Sequence, residues 1–221
     1  MGSCKNATVV FVHGTWADGS SWGTVNRVAE AGLAVICAPL PLTTLSDDIA
    51  AVRRVVARID GPVLFVAHAY AGAVIAGVDD KRVKGLVYIT ALAPDEGETT
   101  VEVFTREAPH PDAPKMAPDE SGYILMPHEA ILKAFSPNAA ANEKVRLEAI
   151  QRPINVACIV EKAPAPAWKS KPTRFLIAEE DHMILEKTQR FMAERMKATI
   201  RTAPADHMPS LTMPKPVVDR A

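Results

Sequence analysis

The chain has 221 residues, and its 25 Lys and Arg against 26 Asp and Glu give a formal net charge of −1, which leaves no global field to draw nucleic acid or an anionic membrane. An apolar fraction of 48% with 23% charged residues is globular and excludes disorder, and the length suits one α/β domain with an insertion better than two full domains. The 18 prolines, about 8% of the chain against a usual ~5%, are an excess whose location matters.

The N-terminus, Met1-Gly2-Ser3-Cys4-Lys5-Asn6, lacks the basic start and apolar run of a signal peptide, and Asn6 stands where a myristoylation motif needs Ser or Thr. No stretch approaches ~18 continuous apolar residues, so the chain is expected to be cytoplasmic and without a membrane span. Cys4, Cys37 and Cys158 are odd in number and lack metal-ligand spacing, which argues against a disulfide framework or zinc site and for a reducing compartment.

Four apolar runs then follow, Ala7 to Val12, Leu33 to Ala38, Val63 to Val66 and Val83 to Ile89. Strands apolar on both faces are what a parallel sheet covered by helices requires. Between the second and third runs, Ser46-Asp47-Asp48 predicts a helix cap with an acidic first turn, and Ile49, Val52, Val56 and Ile59 follow at helical spacing until Gly61-Pro62. This βαβα series predicts a doubly wound sheet over residues 1–93.

Composition changes at Pro94. Residues 94–172 hold 11 of the 18 prolines, and no glycine occurs beyond Gly122. A loop punctuated by Pro109, Pro111, Pro114 and Pro118, an Ala-rich helical pattern over Asn138 to Ile150, and a return through Pro164, Pro166 and Pro172 predict a helical, Pro-rich lid inserted over the carboxyl ends of the strands. The α/β pattern resumes over 173–221, with strands at Arg174 to Ala178 and Ala198 to Thr202 around a helix at Leu185 to Met196.

In such sheets ligands bind beyond the strand ends. Those ends read His13-Gly14-Thr15-Trp16, Ala67-His68-Ala69-Tyr70-Ala71-Gly72, Glu179-Glu180-Asp181 and Asp206-His207. Turn, elbow, acid and histidine, in that order, resemble an α/β-hydrolase, in which a G-x-S-x-G elbow presents a serine and the acid and histidine follow. More narrowly, Val9 to Trp22, Pro41-Leu42, Ser46-Asp47-Asp48, Gly61-Pro62, Ala91 to Glu98 and Gln189 to Arg195 are similar to a group of small bacterial α/β-hydrolases, over nearly the whole chain.

The resemblance implies a mostly parallel α/β-hydrolase fold and a triad at position 69, Asp181 and His207. His207 would move the proton, and Asp181 would orient it, with Asp95 in reserve. Thr15 and Tyr70 would supply oxyanion N–H groups. His13, Gly14, Trp16 and Trp168 are candidate substrate-binding residues, Trp168 either closing over substrate or anchoring the lid. His13 also reads as a turn stabiliser, and His68 and Trp22 as packing. His110, His128 and His182 read as solvent-facing, without partners at metal-ligand spacing.

The sequence departs from the elbow pattern at the nucleophile, which is Ala69, with Ala67 and Ala71 in place of the flanking glycines. The expected parent activity is hydrolysis of carboxylic esters or lactones through an acyl-enzyme, without metal or organic cofactor, and the present chain is its inactive, engineered Ser→Ala form. Two alternatives stay open, a natural ligand-binding pseudoenzyme and a cofactor-free oxygenase or lyase using the His-Asp pair. The expected partner is a small-molecule ester or lactone, with a lid-mediated homodimer left open.

Overall fold

The computed structural model describes residues 7–25 and 27–218, so Cys4 and the N-terminal pattern lie outside the described residues. Chain order is β1 (Thr8–Val12), a 3₁₀ segment (Gly19–Val25), α1 (Arg27–Glu30), β2 (Ala34–Ala38), α2 (Leu45–Val56), β3 (Val63–His68), α3 (Ala71–Ala76) and β4 (Val83–Ile89). The middle block holds α4 (Thr100–Phe104), β5 (Tyr123–Ile124), α5 (His128–Ala130), a π-helical turn (Ile131–Phe135), α6 (Ala141–Ile150), β6 (Ile154–Asn155), α7 (Ala157–Val160) and a 3₁₀ turn (Ala167–Lys169). The chain returns through β7 (Thr173–Ala178), α8 (Glu186–Arg195), β8 (Thr199–Ala203), α9 (Pro209–Thr212) and α10 (Pro214–Val218).

Six strands form one sheet in the order β2-β1-β3-β4-β7-β8, and every pairing in it is parallel. The pleat sorts the core: Val10 and Val12 join Phe65 and Ala67 on one face, while Val9 and Phe11 join Val66 and Trp22 on the other. The continuous apolar reading holds for β1, buried throughout, but not for the edge strands β2 and β8, which are buried only at their last residues. An edge strand has a neighbour on one side only, so exposed Cys37 on β2 and Arg201 on β8 are tolerated.

The α2 cap sits two residues earlier than its sequence signal. Thr44 is the cap, its hydroxyl accepting from Asp47 N at 3.0 Å, and Arg53 and Arg54 close the last turn. Leu45, Ile49, Val52 and Val56 form the buried stripe. The acidic first turn is present as Asp47 and Asp48, and Asp48 is fully buried. The physical reason is a set of inward donors: Leu42 N at 2.8 Å and the Tyr70 hydroxyl at 2.8 Å replace water around its carboxylate.

The middle block is irregular. Its only strands are the two-residue antiparallel pair β5 and β6, and the helix expected from Asn138 begins at Ala141. It is tied to the strand ends by Trp16 N to Arg152 O (3.2 Å), Asn155 N to Leu42 O (3.0 Å) and Asn138 N to the Asp206 carboxylate (3.0 Å).

Candidate active site

Successive strands lie on opposite sides of β1, with β2 on one flank and β3 on the other. The carboxyl ends of β1 and β3 therefore flank a switch point, the usual position of a crevice in an open parallel sheet. Left-handed backbone collects around these ends: Trp16 (φ 56), Leu42 (φ 60), Ala69 (φ 51) and Thr90 (φ 40) follow β1, β2, β3 and β4. A non-glycine residue there costs about 1–2 kcal/mol, and such strain persists where the surroundings over-determine the backbone.

Ala69 makes the sharp bend between β3 and α3. Its carbonyl accepts from Leu92 N (2.9 Å) and Gly72 N (3.2 Å). The bend fits only because two neighbours lack side chains. A Cβ on Gly14 would stand 2.9 Å from Ala69 Cβ, and one on Gly72 would stand 2.3 Å from the Leu92 carbonyl oxygen. The alanines flanking the elbow, Ala67 and Ala71, are both accommodated in full burial.

Asp181 and His207 meet although 26 residues separate them. His207 Nδ1–H donates to the Asp181 carboxylate at 2.8 Å, leaving the Nε2 lone pair free to act as a base. Asp181 is held on every side, by Met183 N (2.7 Å), Ile184 N (2.9 Å), Gln189 Nε2 (3.2 Å) and the Thr90 hydroxyl. Glu179 and Glu180, its equally acidic neighbours, are exposed, and Asp95 is engaged with Lys169 at 2.5 Å.

His68 does more than pack. Its Nε2–H donates to the His207 backbone carbonyl at 2.7 Å, and its ring lies 4.7 Å from the His207 ring, with Trp22 edge-on at 6.3 Å. Burial pushes its pKa down to about 3, so it stays neutral beneath the base. Phe135 flanks the His207 ring at 5.3 Å.

Among the described residues the backbone N–H groups of Thr15 and Tyr70 enter no intramolecular hydrogen bond. Both residues line an apolar cleft shared with Ala69, His207, Trp16 and Leu92. Its remaining wall is Thr100, Val101, Phe104, Met116, Ile124, Ile154 and Ile159 from the middle block, with Met183 and Ile184 after β7. Trp16 is fixed there by its indole N–H, which donates to Ile124 O at 2.9 Å.

Three expected substrate contacts fall outside this wall. His13 is buried behind it: its Nδ1–H donates to Gly14 O (2.8 Å), its Nε2 accepts from Leu40 N (3.3 Å), and burial lowers its pKa. Gly14 serves the close approach to the elbow. Trp168 anchors the middle block, buried at the core with Arg195 and Lys169 over its ring at 5.9 and 5.6 Å.

His128 is exposed, as expected of a solvent-facing histidine, whereas His110 and His182 are half-buried and share a third potential ligand, which corrects the expectation for those two. His128 pairs with Glu148 at 2.8 Å, while His110 and His182 stack at 3.7 Å with Asp112 beside both. His110, Asp112 and His182 are the one grouping among the described residues whose ligand atoms approach within 4.8 Å, and they lie outside the cleft. His182 and His110 come from loops 72 positions apart, so no local spacing marks the grouping. Thr90, Gln189 and Asp48 were likewise not singled out. Gln189 and Asp48 stand in segments that carry the resemblance, Gln189 to Arg195 and Ser46-Asp47-Asp48, whereas nothing local marks Thr90.

A doubly wound parallel sheet with a strand-to-helix bend at its switch point and a His-Asp pair at later strand ends defines the class of α/β hydrolases. Residues 9–220 match the model of the alpha/beta hydrolase family, and the chain belongs to that family. Similar solved structures include polyneuridine aldehyde esterase, with a TM-score of 0.83 at 16% identity over 96% of each chain. A pyrethroid hydrolase from Sphingobium faniae JZ-2 has a TM-score of 0.81 at 21% identity, over 96% of this chain and 94% of that one. A methylesterase from Arabidopsis has a TM-score of 0.77 at 15% identity, over 96% and 95%. At these identities the likeness is one of fold. A search of curated protein sequences returns no match.

Proposed function

We propose that this scaffold hydrolyses carboxylic esters or lactones through an acyl-enzyme formed on a serine at position 69, and that the chain with Ala69 is its nucleophile-null, engineered form. The observation that supports it best is the bend at Ala69: an alanine gains nothing from φ 51, whereas a residue presented there stands in the cleft wall with His207. The esterase names of the structural neighbours agree with an ester substrate.

In the serine form, Oγ attacks the ester carbonyl while His207 Nε2 takes its proton. The carbonyl oxygen becomes an oxyanion and is met by the N–H groups of Thr15 and Tyr70. Collapse expels the alcohol with the proton from His207. Water then adds to the acyl carbon through the same base and releases the acid. Asp181 stabilises the imidazolium in both halves. With Ala69 the cleft, donors and base remain, but no atom can form the acyl bond.

Changing Ala69→Ser and assaying p-nitrophenyl esters tests this reading. Turnover should rise by several orders of magnitude, up to about 10⁶, with labelling by a fluorophosphonate. No gain in either overturns it. Sequencing codon 69 in the native gene separates an engineered alanine from a natural ligand-binding protein, since only the former predicts a serine codon.

A further inference from the structure

Asp48 takes no part in the chemistry assigned to the cleft, yet its carboxylate is fully buried where three segments leading to the cleft wall come together. Oδ1 accepts from Leu42 N at 2.8 Å, and Oδ2 accepts from the Tyr70 hydroxyl at 2.8 Å. The Cys158 thiol donates to the same Oδ2 at 3.8 Å, and burial keeps that thiol protonated by raising its pKa to about 12.

Each donor reaches the cleft by its own route. Tyr70 is itself part of the wall, directly after the reacting turn. Leu42, held at φ 60, accepts from Asn155 N at 3.0 Å through its carbonyl, beside Ile154 of the wall. Cys158 stands on α7 immediately before Ile159 of the wall. The elbow and the cover therefore meet at one side chain. Stability does not explain a charge at this point: burial raises the Asp48 pKa to about 6, so at neutral pH the ionised form is held against its desolvation. What the carboxylate offers is acceptance from all three donors at once, which an amide cannot match.

We propose that Asp48 is a positioning residue for substrate, its carboxylate locking the cover to the elbow so that Tyr70, Ile154 and Ile159 keep the shape of one cleft wall. This rests on the reading of the cleft as an ester site. The reacting groups do not depend on the junction. Asp181 and His207 stand at other strand ends, and the backbone of Tyr70 is fixed separately, its carbonyl accepting from Ala73 N at 3.0 Å. Loosening the junction should therefore weaken the hold on ester in ground and transition state alike and leave the chemical step.

In the Ala69→Ser protein, Asp48→Ala should raise KM for p-nitrophenyl hexanoate about tenfold while kcat stays within about threefold. Asp48→Asn should raise it less, about threefold, because its oxygen keeps Leu42 N and its amide nitrogen faces the Tyr70 oxygen, while Cys158 loses its acceptor. The same asparagine should raise Tm at pH 7.5, since no charge is buried, so affinity falls as stability rises. In the Ala69 chain, amide hydrogen exchange should quicken over residues 154–160 in Asp48→Ala while β1 stays protected. If the alanine variant does not fold, Tyr70→Phe takes its place in the exchange measurement. Unchanged exchange over 154–160, KM values within about twofold of the parent in both Asp48 variants, or a Tm that falls together with affinity in Asp48→Asn overturns the proposal. Failure of the hydrolase reading looks different: Ala69→Ser without turnover, beside quickened exchange over 154–160, removes hydrolysis and keeps the junction.

Discussion

The sheet and the middle block solve different problems with different chemistry. In the sheet, β1 is buried along its whole length and paired on both sides, so its residues serve packing. In the block at 94–172, the strands are two residues long and several helices span three to five. Yet that block supplies Thr100, Val101, Phe104, Met116, Ile124, Ile154 and Ile159 to the cleft. Regular structure fixes where reacting groups stand, and an irregular apolar cover shapes what can reach them. Both regions bury apolar surface, but only the cover turns so much of it toward the cleft.

This division can be broken at several points. The largest effect is catalytic. In the Ala69→Ser background, His207→Ala should lower kcat by about 10⁴ or more with thermal unfolding little changed, because it removes the base and leaves the sheet intact. A collapse of Tm in circular dichroism melts would show that the dyad is structural.

Next comes the core. Phe65→Ala, at a fully buried position of β3, should cost about 3–5 kcal/mol in urea unfolding. Phe104→Ala in the cover should cost far less, because that side chain is only partly buried, and should change the preference for ester chain length. Equal costs, or an unchanged preference, would erase the difference between sheet and cover.

Stability against pH gives a smaller effect, with two opposed signs. His68 has its pKa lowered by burial to about 3, so between its ordinary value near 6.5 and about 3 the unfolded chain binds a proton that the fold does not. Its contribution is present above pH 6.5 and lost as the pH falls. Asp48 is raised by burial to about 6, so the fold keeps a proton that the unfolded chain has released. Its contribution is present below about pH 4 and lost as the pH rises through 6. Urea titrations at half-unit steps from pH 3.5 to 7 should show a flatter acid limb for His68→Gln and a steeper one for Asp48→Asn. The reverse pair of slopes would refute both assignments. The smallest effect should be Lys133→Ala, which removes an exposed pair with Glu129 at 3.2 Å and should stay within about 0.5 kcal/mol.

The sheet was legible because Val9, Val10, Phe11 and Val12 and their counterparts are apolar on both faces, a pattern that local sequence carries by itself. The elbow was legible for a related reason: it follows directly on β3 and is followed by the glycine that α3 needs. The cover was legible as a composition and not as elements, since Tyr123–Ile124 and Ile154–Asn155 are too short to show a period. The support of the site was least legible. Thr90 reaches Asp181 across 91 positions, His68 reaches the His207 carbonyl across 139, and Tyr70 reaches Asp48 across 22. Nothing local marks such pairs, and the same distance in sequence hid the His110 and His182 stack. Trp168 was left open between two roles, because an aromatic residue in a cover fits an anchor as well as it fits a wall, and its burial beside Arg195 and Lys169 favours the anchor.

The carbonyl of Ala69 has a consequence for how this scaffold can be rebuilt. One oxygen receives Gly72 N at the start of α3 and Leu92 N where the chain leaves β4 for the cover. The point of departure of the cover is therefore pinned to the reacting turn and not to the cover's own residues. A segment of different length grafted between Pro94 and Pro172 would leave from the same anchored exit, but it would have to replace the bonds by which Arg152 and Ile124 hold Trp16.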